Sequence, residues 1–438
     1  MKRITFRVAA AVAIGALAIG LAGCGTAKGG AADGKPALSK DPVTIRMYWW
    51  GGDARHERTK QVIALFEKKY PNITVKPEFA DWNGYWEKLA TSTAGKNMPD
   101  VVQMDAQYLA EYSNRGALAD LSKLDVNLSG MEASVRGTGQ VDGKQYAAPI
   151  STSSMAVIVN TDLLAKVGVP LPADTDTWTW GEFNTWAAQV SKASSGAAYG
   201  SQLDADIVQL QLFARQSGEQ LFKDGKVVVS PKTVAAYFQT NLDRISSGAA
   251  AGASVFAETA GLPLDQLPIS TGKAATQIGY ATQVSAYAAA SHANLKLVPL
   301  PTVSKGSKDW NFFKPGMYWS VSSQSKHPAE AALLTNFFLN DSGAAKILGS
   351  ERGIPAVKTS LEAIKPSLTP DEVKAVDFTQ AEASSLGSAP QVAPAGSSTA
   401  NATLLRYAQQ VYAGQQGAED AAKAFIKEVQ ASIDAAKK

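Results

Sequence analysis

The sequence predicts an α/β fold divided into two domains, and three observations carry that prediction. Short apolar segments alternate with amphipathic ones from residue 43 onward, the pattern of parallel strands joined by helices. From Pro42 to Lys438 roughly 400 residues remain, more than one hydrophobic core holds. The single cysteine in 438 residues, Cys24, leaves no disulfide framework, so the body must be held by its cores alone.

The elements follow in order. Lys2, Arg3 and Arg7 form a basic start, and Val8 to Ala22 carries no charge. That run is shorter than the about 20 residues needed to span a bilayer, so residues 1–23 are expected to be a signal peptide. Leu21-Ala22-Gly23-Cys24 resembles the lipobox of bacterial lipoproteins, in which the cysteine is lipidated and becomes the new N-terminus. The competing reading is a free thiol in an uncleaved leader. Acylation at Cys24 would anchor stably, because one chain binds only marginally and two suffice. Residues 24–41, poor in large apolar side chains, are expected to be a flexible tether. Fully stretched it spans at most about 60 Å.

"VTIRMYWW" (43–50) is expected to be a strand ending at a Gly-Gly turn. A helix over 55–70 follows, with Val62, Leu65, Phe66 and Lys69 at helical spacing and Pro71 closing it. "ITVKPEF" (73–79) is a second strand, 83–95 a helix, and "PDVVQMD" (99–105) a short buried strand. In Thr179-Trp180-Gly181-Glu182 the spacing of Thr and Glu is a capping box, which gives Trp180 a packing role.

Charge excludes one class of function. Of 42 basic residues three lie in the leader, which leaves 39 against 39 acidic ones. No concentrated basic face is implied, so no nucleic-acid partner is expected.

In doubly wound sheets, ligands sit beyond the C-terminal ends of the strands. Here those ends carry Trp49-Trp50, then Asp81-Trp82, then Asp105 with Gln107 and Tyr108. Flat rings beside carboxylates are what a sugar requires: its C–H faces stack on aromatics and its hydroxyls bond to ionised acceptors. Alternation along the first strand sends Trp49 to the core and Trp50 to the cleft. Asp81 is either a ligand contact or the cap of the helix over 83–95, Trp82 a stacking ring, and Asp105 either a hydroxyl acceptor or a cap.

The segments "MPDVVQMDAQYLAEYSNRGALADL" (98–121), "DGKQYAAPISTSSMAVIVNTDLLAKVGV" (142–169), "TWTWGEF" (177–183), "GKAATQIGYATQV" (272–284), "SSQSKHPAEAALLTNFFL" (322–339) and "ERGIPA" (351–356) follow one another in order along the body. Together they resemble the carbohydrate-binding solute-binding lipoproteins of bacterial ABC importers, the group that includes maltose-binding protein. The resemblance implies a two-lobed periplasmic-binding-protein fold of type II, each lobe a mixed, mainly parallel sheet flanked by helices and joined by hinge crossovers. It implies an N-terminal lobe of 42–149 and 271–320 and a C-terminal lobe of 150–270 and 321–438. It further implies a carbohydrate ligand, a partner in the permease's transmembrane subunits, a monomer, no cofactor, and an extracytoplasmic site on a lipid anchor.

Residue by residue, the resemblance places Ser151, Thr152 and Ser153 on the first crossover, where relatives contact ligand, and Asp204 in a helix region bordering it. Tyr280, after Gly279, stands where relatives carry a stacking ring. Met317 and Trp319 share the corresponding place at the second crossover, flanked by Trp310 and Tyr318, and Arg352 either bonds the ligand or bridges the lobes.

Against an enzyme, the three histidines at 56, 292 and 327 make no H-x-x-x-H pair, and no G-x-S-x-G elbow or Walker A loop occurs. Acidic pairs keep a glycosidase or lyase as the enzymatic alternative, and an adhesive surface lipoprotein is the structural one.

Overall fold

The computed structural model describes residues 34–436; the leader and Cys24 lie outside the described residues. The last residues of the expected tether do not hang free. The Ser39 N–H donates to the Glu330 carboxylate at 2.6 Å, and Lys35 pairs with Asp125 at 3.3 Å.

The first lobe opens with β1 (Val43–Trp50), α1 (Asp53–Lys69), β2 (Ile73–Ala80), α2 (Trp82–Ala94), β3 (Val101–Met104) and α3 (Ala106–Asn114). β1 pairs in parallel with β2 from Val43↔Ile73 to Trp50↔Ala80, and with β3 at Met47↔Val101. Strand alternation divides β1 between two apolar clusters. Ile45, Met47 and Trp49 pack with Val62 and Phe66 of α1, while Tyr48 and Trp50 pack with Tyr85, Trp86 and Leu89 of α2. Helices cover both faces, so the strands are buried on both sides, as parallel sheets require. Each fully buried large side chain contributes about 1.5–3 kcal/mol over its exposed state.

The strand Tyr318–Val321 pairs antiparallel to β3, with Trp319 opposite Gln103, and Ala148–Pro149 closes that sheet. The second lobe is built on Met155–Asn160, flanked by Thr276–Tyr280 and Leu295–Val298. Both pairings are antiparallel, so this sheet departs from the mainly parallel one expected. The two-lobed α/β class stands.

Sheet membership also corrects the expected lobe boundaries. Residues 271–300 belong with the second lobe, because Thr276–Tyr280 and Leu295–Val298 bond to Met155–Asn160. Residues 321–348 belong with the first: Leu334, Phe337, Phe338 and Leu348 share the core of β1 and α1. The chain returns to the second lobe afterwards, where Leu361, Ile364 and Val376 pack beneath its sheet and the two last helices, Ala400–Tyr412 and Ala418–Ala436, pack with Phe213, Val234 and Phe238 in a further core. The physical reason is that an antiparallel pairing across more than a hundred residues leaves no local trace in the pattern.

The crossings converge on one hinge. Ser151–Thr152 pairs antiparallel with Ile354–Pro355. The Ser153 N–H donates to the Lys314 carbonyl at 3.0 Å, and the Lys314 N–H returns to Ser153 at 2.9 Å. A few loop-like residues linking two separate cores are the ordinary form of a hinge.

Candidate functional site: the cleft between the lobes

A cavity of about 350 Å³ lies between the lobes. It is small for a ligand site, near the bottom of the usual range of about 300–1,000 Å³. The first lobe supplies Asp105, Gln107 and Thr138; the second supplies Asp206, Gln211 and Phe222; the hinge side supplies Tyr280, Phe312, Lys314 and Tyr318.

Local chemistry explains why those side chains are there. β3 ends at Met104, and Asp105 caps α3 by accepting the Gln107 N–H at 3.0 Å. Asp206 does the same for the helix Ile207–Gln216, accepting from the Val208 N–H at 2.8 Å and the Gln209 N–H at 3.2 Å. Such a cap contributes about 1 kcal/mol to its helix. One oxygen of each carboxylate is thus fixed by backbone donors on the cleft wall. Enclosure pushes the Asp206 carboxyl above its usual range, and its two backbone donors and the Lys314 ammonium pull partly back.

Tyr280 ends its strand at the register Tyr280↔Met155. Burial first, then the negative charges of Asp206 and Asp105, hold its hydroxyl pKa well above the ordinary value. It therefore stays a donor at all physiological pH. The Lys314 ammonium stands 5.4 Å from the centre of the Tyr280 ring. Tyr318 donates to the Thr138 carbonyl at 3.4 Å, which fixes that ring against the first lobe. The cavity combines an aromatic face, two anchored carboxylates, an ammonium and several amides; among the described residues no group of His, Cys, Asp and Glu is placed to hold a metal.

Of the residues singled out from sequence, Asp105 and Tyr280 line this cavity together. The others stand elsewhere. Trp50 and Trp82 meet edge to face at 5.0 Å inside an aromatic cluster of the first lobe with Tyr85, Trp86 and Tyr108. Trp50 is buried there, and Trp82 shows 38% of its surface to solvent without lining the cavity. Asp81 is the cap of α2, accepting the Gly84 N–H at 2.8 Å. Ser151 and Ser153 are buried in the hinge; the Ser151 hydroxyl is crowded by Gly316 and Gly353, and the Ser153 hydroxyl bonds Thr282 at 3.2 Å. Asp204 is consumed by a buried ion pair with Arg244 at 3.0 Å.

Three expectations at and after the second crossover are corrected. Trp319 is 1% exposed and packs on Phe338 at 5.4 Å, because its strand lies inside the sheet and sends that face to the first core. Met317 gives its carbonyl to the Ile150 N–H and its side chain to the aromatic cluster. Arg352 is buried over the Trp319 ring at 5.5 Å and donates to the Thr59 hydroxyl at 2.7 Å, so it braces the base of the hinge within the first lobe.

Sequence reasoning missed Asp206, Lys314 and the stretch from Pro390 to Asn401, which also lines the cavity. For Asp206 a signal existed. It stands directly before the apolar run Ile207-Val208-Gln209-Leu210, where an N-cap belongs, two residues past the Asp204 that was singled out.

The model for bacterial extracellular solute-binding proteins matches residues 61–380. Over 208 residues the chain is 28% identical to the Diacetylchitobiose binding protein DasA of Streptomyces coelicolor, an alignment taking in 44% of this chain and 45% of that protein. Over 169 residues it is 29% identical to an uncharacterized lipoprotein from the oleD 5′ region of Streptomyces antibioticus, covering 36% of this chain and 35% of that one. The chain thus matches less than half the length of either curated relative. Among solved structures, an extracellular solute-binding protein of family 1 from Alicyclobacillus acidocaldarius superposes with a TM-score of 0.74 at 27% identity, covering 91% of this chain and 100% of that one.

Proposed function

Because the chain belongs to the bacterial extracellular solute-binding protein family, we propose that it captures a sugar in its interlobe cleft and delivers it to the membrane subunits of an ABC importer. One observation carries the choice of ligand. The Tyr280 ring and the carboxylates of Asp105 and Asp206 converge on one cavity from both lobes and the hinge. A pyranose offers matching surfaces, an apolar face for the ring and hydroxyl pairs for fixed acceptors. A relative named for binding diacetylchitobiose makes a short oligosaccharide the first candidate.

The protein works outside the cytoplasm, held to the membrane through lipidated Cys24, a reading supported by the lipobox and by a relative described as a lipoprotein. It binds without chemistry, a reading supported by the match to extracellular solute-binding proteins and by a relative named for binding diacetylchitobiose.

The test is a thermal-shift screen against short oligosaccharides with product analysis in the same tubes. A ligand at a hundred times its Kd adds about 2.7 kcal/mol to stability. Stabilisation without turnover is the expected result; turnover points to a carbohydrate-active enzyme, and no shift across the panel removes the sugar reading.

A further inference from the structure

Residues 387–398, "GSAPQVAPAGSS", run without regular secondary structure into the helix that begins at Ala400. A stretch of that length inside a packed domain is uncommon and is usually functional. This one crosses the cleft, and the two lobes hold it differently.

The second lobe holds it by hydrogen bonds. The buried Arg215 guanidinium donates to the Ser388 carbonyl at 2.8 Å while also gripping the Trp310 carbonyl at 2.6 Å. The Asp224 N–H donates to the Gln391 side-chain carbonyl at 2.9 Å, and the Ser432 hydroxyl donates to the Gly396 carbonyl at 2.7 Å. Toward the first lobe the contacts are apolar. Val392 packs on the cluster that holds Leu109, Ala147 and Tyr318. Ala389 comes so close to Gly137, at the end of the short helix Ala133–Gly137, that a Cβ added there would lie 3.2 Å from the Ala389 methyl. Between these contacts Pro390, Gln391, Val392 and Ala393 form part of the cavity wall.

We propose that this strap sets the length of saccharide the cleft accepts: carried on the second lobe and seated on Gly137 and the Val392 site of the first, it walls the cavity so that a short oligosaccharide fits and a longer chain does not. The inference rests on the sugar-binding reading above. With the strap in place the cavity holds about 350 Å³.

The experiment is calorimetric titration of the wild-type protein with linear N-acetylglucosamine and maltose-series oligomers of two to six units. The same titrations are run on the variant combining Pro390→Gly, Gln391→Gly, Val392→Gly and Ala393→Gly, and on Val392→Gly alone in case the fourfold variant fails to fold. Unliganded melting is recorded for each. The wild type is expected to lose about tenfold or more in affinity between its best short ligand and the hexamer, and the strap variants to flatten that loss to about threefold or less. A wild type that binds the hexamer as tightly as the dimer overturns the proposal, as does a folded strap variant that keeps the wild-type length profile. Absence of any binding by the wild type is a different failure. It removes the sugar reading itself, and the length limit with it.

Discussion

Asp105 and Asp206 face the same cavity from opposite lobes, each with its carboxylate tied to the first turn of the helix it caps. Backbone donors hold both side chains in one rotamer before any ligand arrives. A polar site assembled this way loses little entropy on binding, which is how fixed acceptors gain affinity for weakly interacting hydroxyl groups.

Removing one acceptor or the ring should therefore reduce affinity. Tyr280→Ala and Asp206→Ala are each expected to weaken binding of the best sugar by about tenfold or more, since about 1.4 kcal/mol is a factor of ten. Tyr280→Ala should also lower unliganded melting, because the ring packs in part on the second-lobe core, and Asp206→Ala should cost about 1 kcal/mol through its lost cap. Calorimetry and thermal melting on the same preparations check both. Undiminished affinity in both variants removes them from the site.

Asp204, two residues away, should behave in the opposite manner. Its carboxylate meets the Arg244 guanidinium at 3.0 Å, with both side chains buried. Asp204→Ala strands that cation, and breaking a buried pair on one side costs about 3–5 kcal/mol. Denaturant unfolding should record that loss. A variant as stable as the wild type would show the pair to be energetically idle.

The contrast between these two aspartates marks how far the sequence was legible. Alternation in β1 and the polar stops after each strand placed the first lobe and led to Asp105. The resemblance to sugar-binding relatives, and not the local pattern, singled out Tyr280. What stayed hidden depended on distant chain. Nothing near Trp319 tells that its strand is inserted between β3 and Ala148–Pro149, which is what buries the ring. Nothing near residue 276 tells that its partner lies at residue 159. The strap is written in Pro, Ser, Gly and Ala, the composition of a linker, and only its hydrogen bonds to the second lobe make it a wall.

Stability should also depend on pH through Glu382. This side chain is buried, and its carboxyl is pushed up to about 7, chiefly by desolvation, while a hydrogen bond from Asn311 at 2.9 Å works the other way. A carboxyl raised in the fold binds its proton more tightly there than in the unfolded chain. Its stabilising contribution is complete below the unfolded pKa and is lost as pH rises toward and through 7. Glu382→Gln keeps an acceptor for Asn311 and removes the titration. The variant should match the wild type at pH 4 and exceed it at pH 8 by on the order of 1 kcal/mol or more. Equal melting at both pH values would contradict the assignment.

Cys24→Ser should move the expressed protein from the membrane pellet to the soluble fraction and abolish incorporation of labelled fatty acid, because the thiol is the proposed attachment point. Continued membrane association of the variant would show that another feature anchors it.

The most direct test is a crystal structure of the protein grown with the best ligand of the oligosaccharide screen. The account predicts a sugar ring stacked on Tyr280, with hydroxyl groups within hydrogen-bonding distance of Asp105 and Asp206. Well-defined sugar bound elsewhere, with that cavity holding only solvent, would contradict it.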